Sequence, residues 1–269
     1  MQITGRSPRP MPAVFFGHGS PMVTVEDNAW VRAWQALGAE IDAHYGRPRA
    51  VLMVSAHWCT VGVAVTSMNT PRTIHDFNGF PPALYQIQYP APGSPWLAEH
   101  VRALLADEHV HADVDWGLDH GCWAVLRHAW PDADVPVVQL SLDLSRPARD
   151  HLELARALAP LRDEGVVIAG SGNVVHNLRT LDWHAPERAP FDWAQRFEDW
   201  VRVQLTAGAV DALADYAVLG TDAALSVPTP EHYLPLLYVA AQRRQGEPIS
   251  LPVEGQQFGS ISMLSVRVG

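Results

Sequence analysis

Histidines close several apolar runs of this chain, and the residues around them suit metal coordination. In "FFGHGSP" (15–21) His18 stands between Gly17 and Gly19, and in "VSAHW" (54–58) His57 ends a second apolar run. "GLDHGCW" (117–123) sets His120 beside an acid and a glycine; "SGNVVHN" (171–177) carries His176, and "TPEHYLP" (229–235) carries His232 next to Glu231. Imidazole is a common ligand for zinc, copper, iron and nickel, whereas magnesium and calcium take oxygen donors. Histidines converging from such distant segments would therefore hold a borderline transition metal. Each also has a plainer explanation. His18 could sit by accident in a strand-end turn, His57 could be buried against a carbonyl, and the others could be ordinary loop or helix residues.

The elements that must position these side chains can be read from apolar spacing. "PAVFFG" (12–17), "AVLMVSA" (50–56), "VPVVQLSL" (135–142) and "GVVIAGS" (165–171) are short, rich in β-branched residues and closed by small residues, as buried strands are. Helical spacing runs over 29–44, 94–106, 146–162, 191–205 and 231–242, and "GSISMLSVRVG" (259–269) suits a last strand. Ser145 is placed to cap the third helix, with Pro147 in its first turn. Thr229 is placed to cap the fifth, with Pro230 at its first position, His232 in its first turn and Pro235 interrupting its hydrogen bonds. Strands alternating with helices predict an α/β fold: a single domain with a central, mainly parallel or mixed sheet flanked by helices. In such sheets ligands gather beyond the carboxyl ends of the strands, so the metal site is expected at one end of the sheet. The stretch 77–95 is too long for an ordinary connection and is either a functional lid or a rigid Ω-loop. Its neighbours His75, Asp76 and Phe77 either contact a ligand or pack inside the loop.

Composition narrows the class. The 269 residues are 48% hydrophobic and 18% charged, a globular balance, and the formal charge of −10 comes without a basic cluster. Nucleic acid is therefore not an expected partner. The first ten residues hold no apolar segment and no membrane-spanning run occurs, so a cytoplasmic protein is expected. Cys59 and Cys122, too few to staple the chain, are read as hydrophobic packers in a reducing compartment. "GSGNVV" (170–175) lacks the third glycine of a dinucleotide fingerprint, and there is no phosphate loop, no GxSxG elbow and no HExxH helix. His44, His100, His109, His111, His128, His151 and His184 lie in helical or polar surroundings and are assigned to surface or hydrogen-bonded partial burial.

Six motifs run in order along nearly the whole chain: "MPAVFFGHGSPM", "LMVSAHW", "TIHDFNGFPPALYQIQYPAPGSP", "GLDHGCWAVL", "GSGNVVHNL" and "TPEHYLPLLYV". Together they resemble the 4,5-DOPA extradiol dioxygenase family. This is a branch of the class III extradiol ring-cleavage dioxygenases, related to the catalytic subunit of protocatechuate 4,5-dioxygenase. The resemblance implies a catalytic domain over 11–269 behind a flexible segment over 1–10. It implies metal binding by His18 and His57, with His232 as third ligand where more distant relatives use a glutamate; Glu231 is its neighbour. It makes His176 an acid/base or an additional ligand, and His120 a second active-site histidine. One divalent ion is implied, Fe(II) for ring cleavage with Zn(II) also able to bind, and the partners are a DOPA-like catechol and O₂. A zinc hydrolase and a non-catalytic metal-binding protein use the same histidines and stand as alternatives.

Overall fold

The computed structural model describes residues 9–269. Of the flexible segment expected over 1–10, all but Arg9 and Pro10 thus lies outside the described residues. The first half of the chain runs β1 (Ala13–Gly17), α1 (Ala29–Tyr45), β2 (Ala50–Cys59), β3 (Ala64–Thr66), α2 (Pro82–Tyr85), α3 (Pro95–Leu104), β4 (His111–Asp113), α4 (His120–Ala129) and β5 (Val137–Leu142). The second half continues with α5 (Ala148–Ala157), β6 (Val166–Gly172), α6 (Asp192–Ala207), α7 (Val210–Ala214), α8 (Thr221–Ser226) and α9 (Leu234–Ala240). It ends with β7 (Ile249–Val253), β8 (Gln256–Gln257), β9 (Ile261–Ser262) and β10 (Ser265–Val268).

Eight strands form one sheet in the order β4-β3-β5-β2-β6-β1-β10-β7. Its centre, β5-β2-β6-β1, is parallel, built from the four β-branched runs legible in the sequence. Antiparallel pairing of β3 with β5 and of β10 with β1 and β7 makes the whole sheet mixed. Strand alternation divides the core. Ala13 and Phe15 of β1 join Leu52, Leu140 and Ile168 on the face covered by α3, α5, α6 and α9. Val14 and Phe16 join Met53 and Val167 under α1 and α4. Both faces are therefore covered, as a parallel centre requires.

Local chemistry moved several helix starts. Ser145 does not cap α5: its hydroxyl donates to Asp143 Oδ1 (2.7 Å), and Pro147 occupies the cap position without a side-chain bond. The helix expected from residue 231 begins at Leu234, so His232 precedes it. Thr229 donates to Glu231 instead of capping (2.7 Å), and Pro235 sits in the first turn, where its missing N–H costs no helical bond. His120, expected in a loop, opens α4 because the Asp119 carboxylate accepts the Cys122 N–H (3.1 Å) and caps the helix. His151 is fully rather than partly buried, held by Tyr238 Oη (2.9 Å) and the Asp143 carbonyl (3.1 Å). Cys122 is buried as expected, but Cys59 is exposed.

One buried cation ties the amino-terminal strand to the far side of the fold. Arg162 is fully buried; it donates to the carbonyls of Met11 and Gln242 and forms a bidentate pair with Glu247 (2.8 and 2.9 Å). Removing one member of a buried pair leaves the other charge and two carbonyls unsatisfied, at a cost of about 3–5 kcal/mol. Arg162→Met should lower the unfolding free energy by about that amount, read from the urea midpoint at constant m-value.

Candidate metal centre

Because β1, β2 and β6 are parallel, their carboxyl ends lie along one edge of the sheet, and the histidines collect there. His18 follows Gly17 directly, His57 lies near the end of β2, and His176 lies four residues beyond β6. His120 is presented from the adjoining start of α4. Two glycines permit this crowding. A Cβ on Gly172 would come within 2.1 Å of the His232 carbonyl oxygen, which accepts the Asn173 N–H at 2.9 Å; only glycine lets the His232 segment dock on β6. A Cβ on Gly121 would meet Ser55 Oγ at 2.5 Å and His57 Cδ2 at 2.8 Å, so glycine also lets α4 press its first turn against β2.

The imidazole centroids of His18, His57 and His232 form a nearly equilateral triangle: 5.1 Å for His18–His57, 5.3 Å for His18–His232 and 5.0 Å for His57–His232. His120 lies beside it, 3.9 Å from His57 and 5.9 Å from His18. One donor atom each from His18, His57 and His120 fall within 4.8 Å of one another, as do those of His176, Glu231 and His232. His176 stacks on His232 with centroids 3.5 Å apart and planes only 6° from parallel. Five sequence-predicted histidines thus meet in one place.

Hydrogen bonds decide which ring nitrogens are free. The Ser171 hydroxyl gives its hydrogen to the Gly121 carbonyl (2.6 Å), so it accepts from His18 Nδ1 (2.9 Å), leaving the His18 Nε2 lone pair exposed. Asp76 does the same for His120. Its carboxylate accepts the backbone N–H of His120 (2.8 Å) and His120 Nδ1–H (2.9 Å), and it lies 3.4 Å from His57 Nδ1. Nε2 of His57 faces Nε2 of His18 at 3.3 Å. Two nitrogens each about 2.1 Å from one cation in tetrahedral arrangement lie about this far apart, which is the observation that makes this donor set fit a metal ion. On His232, Nδ1 lies 3.4 Å from Glu231 Oε1.

Burial reinforces the same state. It pushes the imidazoles of His18, His57 and His232 well below the ordinary histidine range, and repulsion from neighbouring imidazoles lowers them further. His176 is pushed down to about 4 by burial and then by His120. Burial would raise Asp76, but its hydrogen bonds from His120 outweigh that and hold it ionised. Neutral rings with oriented lone pairs are the form a cation needs. The pH dependence follows. An unfolded histidine binds a proton near pH 6.5, while His176 in the fold does so only near pH 4, so acid favours the unfolded chain. Metal-free protein should hold its stability above about pH 6.5 and lose it as pH falls from there to about 4. Urea midpoints across that range, in chelator, would check the direction; a midpoint that rises on acidification would contradict it.

Beside the five imidazoles lies a cavity of about 490 Å³, roomy enough for a small aromatic ligand. The loop around 77–95 contributes Asn78, Gly79 and Phe80 to its wall, and Leu178, Trp183 and Ile261 add apolar surface. The expected ligand contacts of His75, Asp76 and Phe77 are not among these. His75 is bonded to the Ile87 carbonyl (2.9 Å), Phe77 is buried against Trp123 and His120, and Asp76 works from behind the imidazoles. Residue spacing gave no hint that Asp76 and Ser171 orient these rings. Asp119, the acid beside His120 in the sequence, is wholly buried and anchors Ser55 (2.7 Å) and Gln139 (2.6 Å); burial, then the charge of Asp76, raises its carboxyl.

Residues 12–242 match the family model described as the catalytic LigB subunit of aromatic ring-opening dioxygenase. A 4,5-DOPA dioxygenase extradiol of Escherichia coli (strain K12) is 54% identical over 263 residues, covering 96% of this chain and 95% of that protein. The protein of the same name from Beta vulgaris is 38% identical over 229 residues, covering 82% and 83%. The crystal structure of an uncharacterized protein from Escherichia coli K12 superposes with a TM-score of 0.83 at 49% identity, spanning 96% of this chain and all of that one.

Proposed function

The chain belongs to the family of the catalytic LigB subunit of aromatic ring-opening dioxygenases and is an extradiol ring-cleaving oxidoreductase, and from that premise we propose its ligands, metal and substrate class. His18, His57 and His232 bind one divalent ion, with residues 11–269 as the catalytic domain. The near-equilateral spacing of these rings supports the set, since at a metal–nitrogen distance of about 2.1 Å three imidazoles sharing one cation have centroids spaced this way. His120 sits closer to His57 than a fellow ligand would and faces the cavity as a substrate partner.

The physiological ion is Fe(II), with Zn(II) able to occupy the same imidazoles without supporting turnover. Fe(II) would supply redox-active positions for the two hydroxyl oxygens of a catechol and for O₂, both of whose atoms enter the ring-opened product. The chain's own residues do the rest. Phe80, Leu178, Trp183 and Ile261 exclude water around the ring. His176 receives the proton of a catechol hydroxyl: its ring meets the substrate unprotonated, and it lines the cavity. Its stacking on His232 supports this role over ligation, because lone pairs lie in the ring plane and two parallel stacked rings cannot both aim at one ion. His176 gives that proton back as the ring opens, with His120, oriented by Asp76, offering its other nitrogen to a remaining hydroxyl hydrogen of the diol.

The substrate is a DOPA-like catechol, as the names of the relatives suggest. No helix among the described residues is long and apolar enough to cross a membrane. A cytoplasmic location is supported by the two unpaired cysteines. The observation that carries the proposal is the convergence of neutral, oriented imidazoles beside a ring-sized cavity. Anaerobic loading with Fe(II) or Zn(II), followed by catechol and air, tests it. Oxygen uptake with a yellow semialdehyde-type product from the iron form alone is expected; ester hydrolysis by the zinc form without oxygen uptake would select the hydrolase instead.

A further inference from the structure

A second cavity of about 490 Å³ adjoins the metal pocket, and Ser20, Phe80 and Trp183 line both. Cavities that hold a small ligand span about 300–1,000 Å³, so the metal pocket alone has room for a one-ring diol with a short arm. The outer cavity is a second space of the same size. Trp30 and Phe258 line it with Phe80 and Trp183, giving four aromatic rings, and Met22 and Val23 add apolar wall. Three of the rings are held in place. Trp30 Nε1 donates to the Glu254 carbonyl (2.9 Å), Phe80 meets Phe77 edge-on (5.4 Å between centroids), and Phe258 lies 5.3 Å from Trp183. Trp183 itself is 59% exposed, a large apolar side chain left facing solvent where the two spaces meet. Glu26 and Glu187 also line the outer cavity, but both are exposed and remain hydrated.

Fixed aromatic walls around a ligand-sized space favour another aromatic ring, which gains by leaving water and by edge-to-face or offset contact with the walls. Rings already held in place lose little freedom when they bind it. We propose that the outer cavity is a subsite for an aromatic arm, so that the enzyme also takes two-ring catechols, in which a short linker joins the diol to a second ring. This rests on the ring-cleavage reading for the inner pocket, and it widens the substrate range beyond the one-ring diol in the relatives' names. The diol ring occupies the metal pocket, the linker passes between Phe80 and Trp183, and the second ring lies among Trp30, Phe258 and Met22. A diol with a short arm stays within the inner cavity and makes no use of the outer one.

Isothermal titration of the Fe(II)-loaded enzyme under anaerobic conditions measures the subsite apart from the reaction. The probes are 4-methylcatechol, 4-benzylcatechol and 4-(cyclohexylmethyl)catechol, which share the diol and differ in the arm. The benzyl probe should bind about tenfold more tightly than the methyl probe. It should also bind more tightly than the cyclohexylmethyl probe, which is as apolar but cannot meet the walls as an aromatic ring. Trp30 and Met22 line the outer cavity and not the metal pocket, so changes there leave the diol site alone. Trp30→Ala should bring the benzyl-to-methyl ratio down toward one, and Trp30→Phe should keep most of it. Met22→Trp, which fills the outer cavity, should abolish the ratio, with the affinity for 4-methylcatechol unchanged in all three variants. Equal affinities for the benzyl and methyl probes in the parent enzyme, or for the benzyl and cyclohexylmethyl probes, would overturn the aromatic subsite. So would a ratio untouched by both Trp30→Ala and Met22→Trp. Oxygen uptake on admission of air is scored separately. Arm-dependent affinity without uptake from any probe would leave the subsite standing and count against ring cleavage; uptake from 4-methylcatechol with equal affinities would count against the subsite alone.

Discussion

The His18→Ala protein is expected to fold but to lose both its metal and its turnover. His18 is 4% exposed and contributes the Nε2 that faces His57 Nε2 at 3.3 Å, so its removal deletes one corner of the imidazole triangle. Outside the histidine cluster its ring is bonded only through Nδ1 to Ser171, whose hydroxyl keeps its bond to the Gly121 carbonyl, so little else in the fold depends on it. Changes merely to the groups supporting a ligand weaken metal binding by about 10- to 100-fold, and loss of the ligand itself should exceed that. Elemental analysis after desalting should find less than about a tenth of the parent's metal, and oxygen uptake with catechol should be near background. An active, metal-replete His18→Ala enzyme would remove the foundation of the site.

His176→Ala should separate the two properties. His176 lies against His232 rather than pointing with it, and its backbone N–H is bonded to the Ser226 carbonyl (2.9 Å), so the chain path survives the loss of the ring. Metal content should stay close to that of the parent. Turnover should fall by about 10²–10⁴, the range of a lost general acid or base. His176→Gln keeps a polar side chain without a proton-accepting nitrogen and should be as slow, which tells proton transfer from simple packing. If His176→Ala lost its metal as thoroughly as His18→Ala, the imidazole would be a ligand and the acid/base assignment would move to His120.

Much of this architecture is legible in the residues themselves. The four central strands announce themselves because parallel strands buried on both faces are continuous apolar runs, and His18 and His57 stand at their carboxyl ends. The sheet edges are not legible: β3 and β4 have three residues each, too few for periodicity to speak. His120 reads as a loop residue because Gly121 and Asp119 flank it, yet the same aspartate that suggests a turn is the helix cap. The start of α9 is ambiguous because Pro230 and Pro235 both suit a first turn. Docking of the His232 carbonyl on Asn173 uses residues 230–233 as a turn and leaves Pro235 to open the helix. Asp76 stands out in the sequence as a possible ligand contact, whereas in the fold it holds His120 and lies beside His57. That action depends on the path of a long loop, which no local pattern encodes.

The same carboxylate constrains anyone wishing to retarget the enzyme. Asp76 holds His120 at the start of α4 and lies 3.4 Å from His57 Nδ1 on β2, yet it belongs to the same loop whose Asn78, Gly79 and Phe80 shape the cavity. Grafting that loop from a relative to change what the pocket accepts would therefore also replace the part that orients the histidines. Loop libraries that vary 78–80 while holding 76 fixed would keep the two jobs apart.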